Sequence, residues 1–369
     1  MKSMRLLILT GTTLVACEDP GQQLGPDRLL TSFLSPTAVV TRVVDLGPSS
    51  ARGINIHGQI AGITTFASFP HAALWTVTSA GVTLQDLGTL PGGQVSEALA
   101  ISKRGQIAGL SDIAAGPVHA ALWHVTSAGV AVQDLGILPG GNISEAFGIN
   151  DRGQVVGLAD DASGAHAALW TVTSTGVAVQ NLGGVPGSNH SLAFGINDRG
   201  QVVGGSTLAL GEHATLWTVT SAGVTVQDLA ALSGIGPSDA TALNNRGQIV
   251  GSMDLPGLVI HAALWTVTSA GVTVQDLGTL PGANLSIALG IDDRGRIVGF
   301  SNIAGSPGVR HAVLWTVTSG GVTAQDLGSL PGGTFGEAFG VNDRGQVVGN
   351  DNLPSGRQDA VLWVVSSAP

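Results

Sequence analysis

The sequence predicts an all-β protein: a seven-bladed β-propeller with four antiparallel strands per blade, its last blade closed by the N-terminal strand. Three observations point there. Seven tryptophans, Trp75, Trp123, Trp170, Trp217, Trp265, Trp315 and Trp363, follow one another at intervals of 48, 47, 47, 48, 50 and 48 residues. Each interval holds four short strand-like runs and no 3.6-residue periodicity, and a repeat of that length is what a radial array of four-stranded sheets needs. The two ends of the chain carry complementary pieces of one repeat.

The third repeat illustrates the elements in order: Glu145 to Asn150, Gln154 to Leu158, His166 to Val172, and Gly176 to Leu182. The first two runs are joined through Asp151-Arg152-Gly153, a three-residue hairpin loop that asks for a left-handed glycine. The same glycine recurs at Gly58, Gly105, Gly200, Gly247, Gly295 and Gly345. The last two runs are joined by Thr-Ser-Ala-Gly or a close variant, and Trp lies 11 residues before the Asp or Asn of an Asp-Leu-Gly element in all six complete cases. A fixed length of this kind marks a second hairpin. The run Ala167-Ala168-Leu169-Trp170 is apolar on both faces, as expected of a strand between two neighbouring sheets, whereas Gly176 to Leu182 alternates and reads as the outer strand.

At the N-terminal side, Val39 to Leu46 leads into Asp45-Leu46-Gly47 with no Trp strand before it. Ala360-Val361-Leu362-Trp363 has no Asp-Leu-Gly strand after it. Pairing the two completes a seventh blade and removes the spare strand edge.

Charged residues make up 11% of the chain, the formal net charge is -10, and Lys2 and Lys103 are the only lysines. Such a chain offers no basic surface for phosphates, which argues against nucleic acid as a partner. Met1 to Arg5 carries two positive charges, Leu6 to Ala16 is a short apolar run, and Leu14-Val15-Ala16-Cys17 ends in the only cysteine. The run is too short to span a bilayer and resembles a bacterial lipoprotein signal peptide. The expected organisation is therefore a signal peptide over 1–16, a lipid-bearing N-terminus and flexible tether over 17–37, and one propeller over 38–369, with lipidation at Cys17.

The motifs Ile149-Asn150-Asp151-Arg152-Gly153-Gln154-Val155-Val156-Gly157, His166-Ala167-Ala168-Leu169-Trp170 and Asp134-Leu135-Gly136-Ile137-Leu138-Pro139-Gly140-Gly141 recur in fixed order from about residue 38 onward. They resemble the HAF family of probable extracellular repeats, although that family's His-Ala-Phe is here His-Ala-Ala, His-Ala-Thr or His-Ala-Val. The resemblance implies an exported repeat protein of propeller kind and no known reaction.

Six histidines, His71, His119, His166, His213, His261 and His311, lead the tryptophan strands, with Asp359 in the seventh place. Equivalent positions in separate blades are too far apart to meet on one ion at roughly 2 Å, so each histidine is expected to bridge to a neighbouring blade or a turn backbone. Arg104, Arg152, Arg199, Arg246, Arg294 and Arg344 are expected in solvated turns, paired with the adjacent Asp. Asn150 and its equivalents are expected to cap these turns through the side-chain oxygen. The Gly-Gly loops precede no helix, so they lack phosphate-cradling geometry.

The segments after the second strand vary: Thr64 to Pro70, Ser111 to Val118, Ala159 to Ala165, Ser206 to Glu212, Ser252 to Ile260, Ser301 to Arg310 and Asn350 to Gln358. Variable loops on a repeated scaffold are where specificity can reside, and relaxed constraint explains the variation equally cheaply. The residue entering the innermost strand reads Ser50, Glu97, Glu145, Leu192, Asp239, Ile287 and Glu337. Glu97, Glu145, Asp239 and Glu337 thus form a carboxylate rim suited to a ligand or cation, or to solvation alone. With every tryptophan in the repeat register and no tyrosine, no aromatic platform is expected beside them.

The functional expectation is a noncatalytic, exported, lipid-anchored binding or scaffold module of the cell envelope. It is expected to be monomeric, on the outer membrane or cell surface, and held to the membrane through Cys17. Its partner would be an envelope protein or glycan bound on the variable-loop face. The alternatives are an envelope glycan hydrolase or lyase using the channel-mouth carboxylates, and a structural surface protein without a specific ligand. No cofactor, metal or catalytic residue is expected.

Overall fold

The computed structural model describes residues 38–367 apart from 80, 115, 235 and 258. The signal peptide, Cys17 and the tether lie outside the described residues. The described chain is all-β and propeller-like, with one five-residue helix, Leu229–Ser233, interrupting the strands. Five antiparallel sheets have four strands each, and a sixth has seven. The seven-stranded sheet arises because one long strand, Ala38–Ile54, serves two partners. Its first part pairs with Gln358–Ser367, with Val43 opposite Trp363 and Val44 opposite Leu362; its second part pairs with Gln59–Phe66. The complementary ends noted in the sequence do hydrogen-bond to one another.

The innermost strands pack in sequence order. Ala38–Ile54 lies against Ser96–Ile101, and the order continues through Ser144–Ile149, His190–Ile196, Ser238–Leu243 and Ser286–Ile291 to Gly336–Val341, which packs back on Ala38–Ile54. The tryptophan strands are buried on both faces. Ala168 and Trp170 pack with Leu122 and Leu135 of the preceding repeat, while Ala167 and Leu169 pack with Leu182 and Trp217 towards the following one. All seven tryptophans are fully buried. Truncating one of them to Ala would cost about 3–5 kcal/mol.

Two backbone features recur and explain two invariant glycines. The hairpin glycine takes a left-handed conformation, with φ 78° at Gly153 and 77° at Gly200, as the three-residue loop demands. The glycine of the second strand has a different cause. The innermost strand bulges where it pairs with that strand, and a Cβ on Gly157 would collide with the Glu145 carbonyl oxygen. Only glycine lets the bulged strand approach so closely.

Candidate functional site

The innermost strands enclose a channel whose two ends differ. At one end lie the Asn-Asp-Arg-Gly hairpins. Asn150 caps its own turn, its Oδ1 accepting from the N–H groups of Arg152 and Gln154 at 3.0 Å each. Its Nδ2 donates to the Asn197 carbonyl of the next repeat at 3.1 Å, and Asn197 repeats the bond to Asn244 at 3.1 Å. Asn342 completes the series by donating to the Asn55 carbonyl at 2.8 Å. Where Asp292 replaces Asn and has no donor, Arg296 replaces Gln. The guanidinium of Arg296 binds Asp292 and donates to the Asn342 carbonyl at 2.9 Å.

The aspartates of these turns do not pair with the adjacent arginines, contrary to the sequence expectation. Their carboxylates accept from the backbone of the preceding turn: Lys103 N–H to Asp151 at 2.7 Å, Asp151 N–H to Asp198 at 2.9 Å, and Asp293 N–H to Asp343 at 3.1 Å. A turn amide is a fixed donor that a long, solvated arginine cannot match for entropy. The Lys103 ammonium crosses this carboxylate ring, 3.0 Å from Asp293 and 3.8 Å from Asp151. Burial pulls the Lys103 pKa down, but its bond to Asp293 and the attraction of Asp293, Asp151 and Asp343 outweigh that and raise it. For Asp293, burial is likewise overcome, by the Asn245 amide and Lys103, so its carboxyl is held below the usual range. This narrow end leaves a cavity of about 170 Å³.

The other end is wider and irregular, with a cavity of about 380 Å³. Leu192, Asp239 and Ile287 line it, at the same register position as Glu97, Glu145 and Glu337. Two residues further along each strand stand Arg52, Leu99, Phe147, Phe194, Thr241, Leu289 and Phe339, all on the cavity wall. The Phe147 and Phe194 rings lie 5.7 Å apart, inclined at 40°. The expectation of no aromatic platform is therefore corrected. The aromatic side chains are phenylalanines, which recur at the channel position only three times in seven and so escape a search for repeat-register residues.

Neither is the carboxylate set a solvent-exposed fringe. The Arg52 Nε donates to Glu97 at 3.0 Å, and its guanidinium lies 4.7 Å over the Phe339 ring. Glu337 is buried and receives Arg310 at 2.6 Å, while Arg310 stacks 4.0 Å from Phe335 and 4.7 Å from Phe300. Burial raises the Glu337 pKa against the pull of Arg310 and Arg52. Burial and then repulsion from Glu97 raise that of half-buried Glu145. Asp239 lines the cavity wall.

The variable segments reach this wide end. Backbone bonds tie them to the crossings between repeats, as from Asp160 N–H to the Ile143 carbonyl at 3.1 Å and from Asn352 N–H to Phe335 at 3.1 Å. Two of the segments send charged side chains inward: Arg310 to Glu337, and Glu212 onto the cavity wall. Gly205 leaves the room that the Glu212 carboxylate takes.

The histidines bridge neither to neighbouring blades nor to turn backbones. His71, His119, His213, His261 and His311 each place Nδ1 on the aspartate across their own hairpin, Asp86, Asp134, Asp228, Asp276 and Asp326, at 2.7–3.0 Å. The bond from Asp326 raises the His311 pKa despite burial. His166 faces Asn181 instead of Asp, and turns its Nε2 to Asp161 and Ser163. A signal existed: the 15-residue His-to-Asp spacing fails in one repeat only, where His166 re-pairs. Among the described residues, no three His, Cys, Asp or Glu side chains are placed to hold a metal ion. No described helix is long and apolar enough to cross a membrane.

No protein-family model and no curated protein sequence matches the chain. Among solved structures, a prolyl endopeptidase aligns with a TM-score of 0.50 at 12% identity, over 87% of this chain and 51% of its own length. The chain thus spans about half of that protein. TolB from Acinetobacter baumannii aligns at 0.41 with 11% identity over 85% of this chain and 83% of its own. A gluconolactonase from Xanthomonas campestris aligns at 0.40 with 9% identity over 94% and 99%. At such identities the likeness to the endopeptidase bears on the fold alone, and it is a propeller-like fold.

Proposed function

We propose that the chain is a closed seven-bladed propeller, exported and anchored through a lipid on Cys17, that serves as a noncatalytic binding module of the cell envelope. Its ligand enters the wide end of the channel. The observation that carries this reading is that two variable segments send charged side chains to that end, Glu212 onto the cavity wall and Arg310 onto Glu337. Residues free to differ between repeats contribute to a pocket there, whereas the opposite end is occupied by a repeated hydrogen-bond ring. The cyclic packing of the innermost strands supports closure. Exchange of the Ser206–Glu212 and Ser301–Arg310 segments for those of other repeats should change which envelope proteins or glycans the purified protein retains. Unchanged retention would remove the basis for the reading. Mass spectrometry of the mature N-terminus should find a diacylglyceryl group on Cys17, and an unmodified mature chain would refute the anchor.

A second reading, a glycan-acting enzyme, has one observation in its favour. Glu145, with a raised pKa beside Glu97 and near Phe147, has the character of a general acid with a neighbouring carboxylate. Hydrolytic activity that vanishes in Glu145→Gln would select it over the binding module.

A further inference from the structure

The wide cavity has a definite chemical character. Its volume of about 380 Å³ falls in the range of small-molecule sites, about 300–1,000 Å³. Its walls are mostly hydrocarbon: Phe147, Phe194, Phe339, Leu99, Leu289 and Ile287. Its charged lining is Arg52, Asp239 and Glu212, and Glu97, Glu145 and Glu337 stand at the register position of Asp239, so carboxylates at this end outnumber the guanidinium groups of Arg52 and Arg310. Both guanidinium groups are already committed. Arg52 is bound to Glu97 and stacked on Phe339, and Arg310 is bound to Glu337 and stacked between Phe300 and Phe335.

Each of these pairs couples a cation to a carboxylate and an aromatic face at once. Glu145 and the Phe147–Phe194 pair repeat two of the three parts two residues apart on one strand, without the cation. Resting on the binding-module reading, we propose that the wide cavity binds a small organic ammonium ion with an apolar body, its charge between Glu145 and the faces of Phe147 and Phe194. The hydrocarbon of such a ligand fills the leucine and phenylalanine wall. An anionic ligand meets the excess of carboxylates, and a neutral polar one meets a wall with few partners to exchange for water. A desolvated cation over an aromatic face is worth about 2 kcal/mol, which is more than tenfold in affinity. Glu145 itself gains, since the ligand charge offsets the repulsion from Glu97 that now raises its pKa.

The test uses the full chain and three probes of similar size, benzyltrimethylammonium, 2-phenylethanol and 3-phenylpropionate, with binding followed by calorimetry. The ammonium probe should bind about tenfold or more tightly than either of the others. Glu145→Gln should weaken it about tenfold while leaving the weak binding of 2-phenylethanol unchanged. Phe194→Leu, which keeps an apolar side chain but removes the aromatic face, should weaken the ammonium probe more than the neutral one. Equal binding of the neutral probe would overturn the ammonium assignment while keeping an apolar binding site. Failure of all three probes would overturn it too, and the fate of the binding module would then be read separately from the segment-exchange retention experiment. Thermal melts of both variants establish that the fold is intact.

Discussion

The two ends of the channel are built from the same strands, yet they differ in how far the repeat is kept. At the narrow end three of the seven turns read Asn-Asp-Arg-Gly and the others keep its shape and its glycine, and the turns hydrogen-bond one to the next. One departure from the pattern there is met by a second change that restores the bond: Asp292 is accompanied by Arg296. At the wide end the equivalent positions hold serine, glutamate, leucine, aspartate and isoleucine. Departures there are not corrected; they accumulate into a cavity. Repetition that is repaired signals a structural demand, and repetition that is abandoned in one place leaves room for a ligand.

The comparison breaks most directly at Asn197. The buried Asn197 side chain accepts from Arg199 and Gln201 and donates to Gln201 and Asn244, all at 2.8–3.1 Å. Asn197→Ala strands those partners and should lower stability by about 2–4 kcal/mol in urea unfolding, since each lost bond costs about 1 kcal/mol. Probe binding at the wide end should survive in the folded fraction. A loss below about 1 kcal/mol would mean that the ring of turns is not the structural end of the molecule.

Asp351 tests the same contrast from the other side. It is fully buried at a position held by Ser206 and Ser301 in other repeats, where the hydroxyl accepts from the backbone amides of Val185 and Leu280. Its own carboxylate accepts from Leu330, and burial raises its pKa from 3.8 to about 6. A carboxyl whose folded pKa is raised favours the folded state only while protonated. Its penalty therefore grows as pH rises from about 4 to 6 and then levels off. Asp351→Ser should be neutral near pH 4 and stabilising by on the order of 1–2 kcal/mol at pH 7. A stabilisation that does not depend on pH would show that the gain comes from packing and not from charge.

Lys103 stands where four other repeats carry Asp, one Asn and one Ile, and it sets one cation among the carboxylates of the narrow end, paired with Asp293 and Asp151. Lys103→Met should lower the melting temperature at pH 7, with an expected loss of about 1 kcal/mol because the ammonium is partly solvated. Without the ammonium, Asp293 keeps the Asn245 amide but loses the cation that helps to hold its pKa down. The loss should thus shrink as pH falls through the range where carboxylates protonate, and also as salt rises. A loss unaffected by salt and pH would assign Lys103 a packing role only.

Much of this was legible in the sequence, and the part that was not has a common cause. The tryptophan interval, the hairpin glycines and the turn-capping asparagines are local or periodic, and each repeats often enough to be read from the chain. The carboxylates of the wide end were legible as positions for the same reason. Their partners were not: Arg52 pairs with Glu97 across 45 residues, and Arg310 with Glu337 from a segment of variable length. The phenylalanines were present two residues beyond Glu145, Leu192 and Glu337, but the strand bulges there, as between Ala146 and Gly148, and alternation alone does not carry across it. The turn aspartates were misassigned because neighbours in sequence were preferred over a backbone amide 47 residues away.

Glu145 gives the smallest effect and the sharpest view of the difference between the ends. A group kept for structure should stabilise the fold, and a group kept for a ligand is free to oppose it. Burial, and then Glu97, raise the Glu145 pKa, so its ionised form disfavours the folded state. That penalty is absent when the carboxyl is protonated in both states. It appears as pH rises above the usual glutamate value and is complete once the raised folded value is passed. Glu145→Gln should therefore leave the melting temperature unchanged near pH 4 and raise it slightly at pH 7, by about 0.5 kcal/mol for a half-buried group screened by solvent. Asn197→Ala loses stability at every pH, so the two substitutions move in opposite directions in one melting series. If Glu145→Gln instead destabilises the protein at pH 7, Glu145 belongs to the structural network, and the wide end holds no carboxylate retained against the stability of the fold.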